Sequence, residues 1–88
     1  MQYVRNPDVS VTDVDNEIFL VEPDADEIYY LDEVGSGVWR LLESPCSVDE
    51  MVETFLATFP DVPESRIRTD VRNIIDDMLR ARVILAAT

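Results

Sequence analysis

The side chains in this sequence that could do chemistry are few in kind. Asp13-Val14-Asp15-Asn16-Glu17 and Asp24-Ala25-Asp26-Glu27 each crowd carboxylates together, the donor type that a hard cation such as calcium takes. Both lack the glycine that a calcium loop needs at its sixth position. Both also fall where tight turns are expected, and acids are common in turns, so they read as solvated turn residues. The only two glycines form Gly35-Ser36-Gly37, with no phosphate-cradling pattern around them. Cys46 is the single cysteine; it excludes an intrachain disulfide and reads as a small packed residue with nothing nearby to activate it. Trp39 reads as core or rim packing. The sequence contains no histidine and no lysine. A Ser–His or Cys–His nucleophile pair is therefore excluded, as are the usual zinc site and Schiff-base chemistry. The expectation is a small binding module, not an enzyme, with no cofactor and no metal, that recognises a peptide or protein.

The first half of the chain carries strand patterning. Val9, Val11 and Val14 lie among polar residues close to period-two alternation. Asp13, Asp15 and Asn16 supply turn chemistry, and Ile18-Phe19-Leu20-Val21 is a branched and aromatic run suited to a strand. After the turn at Pro23-Asp24-Ala25-Asp26, Ile28-Tyr29-Tyr30-Leu31 makes the third run. Three short strands joined by tight turns predict an antiparallel meander.

The second half carries helical patterning. Asp32 is placed to cap a first helix with Val34, Val38, Leu41 and Leu42 on one face, ended by Ser44-Pro45. Gly35 and Gly37 near its start each cost about 1 kcal/mol of helix propensity relative to Ala, which suggests a close approach of another group. Ser47-Val48-Asp49-Glu50 fits a capping box, followed by a stripe at Val48, Met51, Val52, Phe55, Leu56 and Phe59. The last helix is predicted from about Pro63 to Arg82, with its stripe at Ile67, Val71, Ile74, Ile75, Met78 and Leu79. Val83-Ile84-Leu85 reads as a short strand or a tucked tail. The predicted fold class is α+β, a three-stranded antiparallel sheet followed by three helices, as one domain over residues 1–88.

Charge narrows the partners. There are 19 acidic residues against 7 basic ones, all arginine, for a net charge of −12. Residues 1–62 hold 15 acids and two arginines; residues 63–88 hold four acids and five arginines. Nucleic acid and anionic membranes need clustered positive charge and fit such a surface poorly. A basic peptide or protein face fits better. No apolar run spans a bilayer, and Met1-Gln2-Tyr3-Val4-Arg5 lacks the apolar core of a signal peptide, so a reducing, cytoplasmic setting is expected.

The segment from Tyr29 to Leu42 is distinctive. An aromatic strand ends in Leu31; then come Asp32, two residues, Gly35, and the Val38-Trp39 pair before Leu41-Leu42. This resembles the hallmark of the PqqD-like family, also called RiPP recognition elements. Ser47-Val48-Asp49-Glu50 is similar to the family's turn and second helix. Thr69-Asp70-Val71 with Ile74-Ile75 and Met78-Leu79 is similar to its third. The resemblance covers roughly residues 8–85. Asp32 stands where Asn is commoner, and Ser44-Pro45 where a Gly turn is commoner.

The resemblance implies a winged helix-turn-helix fold. It implies that the chain binds the leader segment of a ribosomally made precursor peptide and presents it to a modifying enzyme, such as a radical SAM enzyme or a leader protease. The role would be that of a peptide chaperone in RiPP or PQQ-type biosynthesis. The physical mode is strand addition to an open sheet edge. The expected contacts are the strand Glu27, Ile28, Tyr29, Tyr30 and Leu31, an apolar floor of Ile67, Val71 and Ile74, and a rim of Arg66 and Asp70. Core packing suits Ile67, Val71 and Ile74 equally well, Arg66 and Asp70 at i, i+4 could simply pair with each other, and Tyr29 and Tyr30 must point to opposite faces. The alternatives are a winged-helix DNA-binding regulator, a small adaptor or oligomerisation domain and, more remotely, an acidic carrier with Ser36 as its attachment point. The sequence also leaves a homodimer open.

Overall fold

Side-chain caps set two of the three helix starts. The Asp32 carboxylate accepts from the Gly35 N–H at 2.7 Å and opens one helix. At the next, the Ser47 hydroxyl accepts from the Glu50 N–H at 3.2 Å while Glu50 accepts from the Ser47 N–H at 3.1 Å, a complete capping box. The third begins one residue later than the sequence predicts, with Pro63 standing outside as its N-cap. In the computed structural model, which describes residues 1–15, 17–22, 24 and 28–87, the helices are α1 (Glu33–Leu41), α2 (Val48–Thr58) and α3 (Glu64–Arg80). The described strands are β1 (Tyr3–Arg5), β2 (Ser10–Val14), β3 (Glu17–Val21), β4 (Ile28–Leu31) and β5 (Ile84–Ala86).

β2, β3 and β4 form the expected antiparallel meander, with β3 in the middle. β3 alternates as a half-buried strand should: Ile18 and Leu20 are buried, and the residues between them are not. β2 departs from the expected alternation, since all five of its residues are exposed. Val11 and Val14 are three apart and so fall on opposite faces; the strand is an outer wing with no apolar face to bury. The turn after it puts Asp15 at φ 52°, a left-handed conformation that Asp tolerates better than most residues. The second acidic turn, at 23–27, lies outside the described residues except for Asp24.

The helices cover one face of the sheet. Leu20, Val38, Leu42, Met51, Ile75 and Met78 are among the fully buried side chains, each contributing about 1.5–3 kcal/mol by removal from water. Trp39 is also core. Gly37 answers the question its position raised: a Cβ there would lie 3.1 Å from the Phe55 ring, so the glycine lets α1 and α2 approach closely. Ser36 is buried and its hydroxyl donates to the Leu31 carbonyl at 3.3 Å, which leaves no accessible attachment point for a carrier role.

One pairing was not visible in the sequence. β1 pairs antiparallel with β5, Val4 opposite Leu85, so the expected strand or tail at Val83-Ile84-Leu85 is a strand one residue further on, Ile84–Ala86. Tyr3 also bridges Cys46. Arg5 ties this small sheet to α1: its guanidinium lies 4.5 Å above the Trp39 ring and donates to the Trp39 carbonyl at 2.6 and 3.1 Å. Together these elements make a winged helix-turn-helix. Among the described residues, no helix is long and apolar enough to cross a membrane, and no cluster of His, Cys, Asp or Glu is placed to hold a metal.

Candidate functional site

β4 is an edge strand. It pairs with β3 through Ile18 opposite Leu31, Phe19 opposite Tyr30, Leu20 opposite Tyr29 and Val21 opposite Ile28. Among the described residues no strand takes its other side. An edge of this kind presents unpaired backbone donors and acceptors, a template for an incoming chain.

Register decides which tyrosine does what. Tyr29 and Leu31 point to the helix side, Ile28 and Tyr30 to the outer side. Leu31 is a core residue. Tyr29 is half-buried, and burial, with a further contribution from Asp77 and Asp32, pushes its phenol above the usual tyrosine value. Tyr30 is 53% exposed and rests on the opposite sheet face against Phe19, ring centroids 5.3 Å apart. Ile28 is 68% exposed. Glu27 lies outside the described residues.

α3 forms the facing wall. Its inward stripe of Ile67, Val71, Ile75 and Met78 is buried in the core. A second row runs beside it at Ile74, Asp77 and, just past the helix end, Ala81, spaced as one ridge of a helix. Between this ridge and β4 lies a cleft. Near the middle of α3 it measures about 200 Å³, with Tyr29, Tyr30, Ile74, Asp77 and Met78 in its lining. Toward the end of α3 it opens to about 270 Å³, lined in part by Glu22, Ile28, Tyr29, Arg80 and Arg82. Glu22 is buried there and accepts from the Asp24 N–H at 3.0 Å.

Of the residues singled out in the sequence, the cleft brings together Ile28, Tyr29, Tyr30, Leu31 and Ile74. Arg66, Ile67, Asp70 and Val71 lie elsewhere: they line a separate groove of about 290 Å³ with Val34, Phe55, Phe59 and Val62. Arg66 and Asp70 are exposed, while Ile67 and Val71 are core residues showing one edge. Asp77, Met78, Arg80 and Arg82 were missed as cleft residues. Continuing the helical spacing from Ile74 by three and four residues would have found the first two.

Arg82 is distinctive in its backbone. It stands at φ 62° just past α3, where the Arg82 N–H donates to Leu79 and the Val83 N–H donates to Met78, both at 3.1 Å. This is a Schellman stop with arginine where glycine is usual. Two other arginines are engaged: Arg68 with Asp49 at 2.6 Å, which ties α3 to α2, and Arg80 with Asp77 at 3.0 Å.

The molecule is a winged helix-turn-helix whose edge strand β4 faces α3 across a cleft. The chain belongs to the PqqD family: the family model described as "Coenzyme PQQ synthesis protein D (PqqD)" matches residues 17–84. Two solved structures share the fold. "TbiB1 in Complex with the TbiA(beta) Leader Peptide" superposes with a TM-score of 0.84 at 22% identity, covering 97% of this chain and 98% of that one. "Lasso peptide synthetase B1 complexed with the leader peptide" superposes with a TM-score of 0.79 at 20% identity, covering 98% and 100%. No curated protein matches the chain significantly.

Proposed function

We propose that this chain binds the leader segment of a ribosomally made precursor peptide as an added strand on β4, and presents it to a modifying enzyme while doing no chemistry itself. The observation that carries the reading is β4: an edge strand whose free side opens onto the cleft walled by Ile74 and Asp77 of α3. Main-chain hydrogen bonds along the edge supply affinity. Side chains entering the cleft against Tyr29, Ile74 and Met78 supply selectivity. Membership of the PqqD family supports this, and so do the two solved structures of the same fold, each a complex with a leader peptide. The missing histidine and lysine agree with a purely binding role.

The test is a fluorescence-anisotropy titration. The leader portion of the short open reading frame nearest this gene is labelled and the full chain is added. Saturable binding that is lost on scrambling the leader is the expected result. Equal affinity for the scrambled peptide, or amide shifts that avoid Ile28–Leu31, would sink the strand-addition model.

A further inference from the structure

We infer that the modifying enzyme docks on the outer face of the sheet, on an apolar strip made by Phe19 and Val21 of β3 and Ile28 and Tyr30 of β4, and that it also contacts the side chains an added leader strand lays beside that strip. The matching surface on the enzyme is apolar at its centre and basic at its rim. The inference rests on the proposed strand addition and says where the second partner sits.

Register lays the outer face out in rows. Thr12, Phe19 and Tyr30 stand side by side across the three strands, and so do Ser10, Val21 and Ile28. Each row is a hydroxyl on β2 and apolar on β3 and β4, so the face grows more apolar toward its open edge. The helices lie against the opposite face, and Ile28 and Tyr30 stay exposed. Exposed apolar side chains gathered in one place mark an interaction surface. A strand added to β4 extends these rows by one position. Its side chains alternate: one set enters the cleft beside Tyr29, and the other stands next to Ile28 and Tyr30 on the outer face. A partner resting on the outer face therefore touches protein and peptide together.

Charge selects the occupant. Asp15 and Glu17 flank the turn from β2 into β3, and Asp32 and Glu33 follow β4 at the same end of the sheet, where Leu31 lies opposite Ile18. All four are exposed. Arg40 answers them in part, sharing a surface hollow with Tyr30, Asp32 and Glu33. Carboxylates in excess at this border, on a chain of net charge −12, oppose a second copy docking face to face. They favour a protein that carries lysine or arginine around an apolar patch. The modifying enzyme is the protein that the proposed function brings to the bound leader, so it is the partner assigned to this face.

The test immobilises the purified modifying enzyme encoded beside this gene and passes the full chain over it, alone and saturated with leader peptide lacking its core segment. Surface plasmon resonance reads the affinity. The loaded chain should bind about tenfold more tightly than the free chain, because the leader completes the surface. Phe19→Thr and Val21→Lys change the strip on β3, outside the cleft, and the amide spectrum checks that each folds. Each should weaken docking of the loaded chain by about tenfold, while the leader's own affinity in the anisotropy titration stays within about twofold. Glu17→Arg, an exposed position, should weaken docking as well and reduce its sensitivity to salt. If the leader binds but the enzyme holds free chain, loaded chain and all three variants equally, the inference is overturned and strand addition stands. If the leader does not bind, both fall. If light scattering shows a dimer that Phe19→Thr dissociates while enzyme docking is unchanged, the face belongs to a second copy and the inference is overturned.

Discussion

At the scale of single residues, the structure separates side chains that look alike in the sequence. Tyr29 and Tyr30 are adjacent and both border the cleft, yet Tyr29 is half-buried on the helix side while the exposed Tyr30 rests its ring, tilted, against Phe19 on the other face. Tyr29→Ala should therefore weaken the leader peptide far more than Tyr30→Ala in the anisotropy titration. The raised phenol of Tyr29 gives a second check. Its neutral form is the one the fold favours, so the associated stability is present below the ordinary tyrosine value and is lost as pH rises through the raised one. An alkaline absorbance titration should show a late phase that Tyr29→Phe removes. Arg82 holds a conformation that costs a non-glycine residue about 1 kcal/mol. Arg82→Gly should raise Tm by roughly 5 °C. Because Arg82 also lines the cleft, a strained arginine kept at that point suggests a contact with the ligand. The same substitution should then lower peptide affinity while it stabilises the fold, and unchanged affinity would assign Arg82 to the helix stop alone.

At the scale of elements, the helices start where side-chain chemistry starts them. Ser47→Ala removes one half of the capping box and should cost about 1 kcal/mol in denaturant unfolding, with little effect on peptide affinity because Ser47 lies away from the cleft. β4 is short, four residues, so few main-chain bonds are available to an added strand. In the proposed strand addition, side-chain contacts then supply much of the affinity, and the row Ile74, Asp77 and Ala81 beside β4 counts as much as the strand itself. Ile74→Asp would place a charge at the cleft wall and should abolish detectable binding while the buried stripe of α3 keeps the helix in place.

At the scale of the whole molecule, the chain is a slab of 38 × 33 × 19 Å, thin enough that helices back only one face of the sheet and β4 stays open. Its ends are stitched by β1 and β5, with Arg5 pinning that pair to Trp39. Arg5→Ala removes two hydrogen bonds and a cation–π contact, and should cost about 1–3 kcal/mol in thermal unfolding. The net charge of −12 sets the long-range field. Of the four arginines of α3, Arg68 and Arg80 are drawn into pairs with Asp49 and Asp77, which lowers the positive charge the helix can offer to phosphate. Labelled duplex DNA should show no mobility shift with this protein even at low salt.

Local patterning in the sequence was enough for the meander, for the three helices and for two of their caps, because each depends on residues within a few positions of one another. It was also enough to exclude catalysis by histidine or lysine, while the resemblance to the PqqD-like family singled out Tyr29, Tyr30 and Ile74, which border the cleft. Three things waited for the tertiary structure. The β1–β5 pair joins three-residue segments from opposite ends of the chain, too short for either to declare itself alone. The facing of Tyr29 depends on the register with β3, which adjacency in sequence cannot supply. The division of α3 into a ridge at the β4 cleft and a separate wall of the aromatic groove depends on where α1 and α2 land against it. Helical spacing says which residues share a face; only packing says what that face meets.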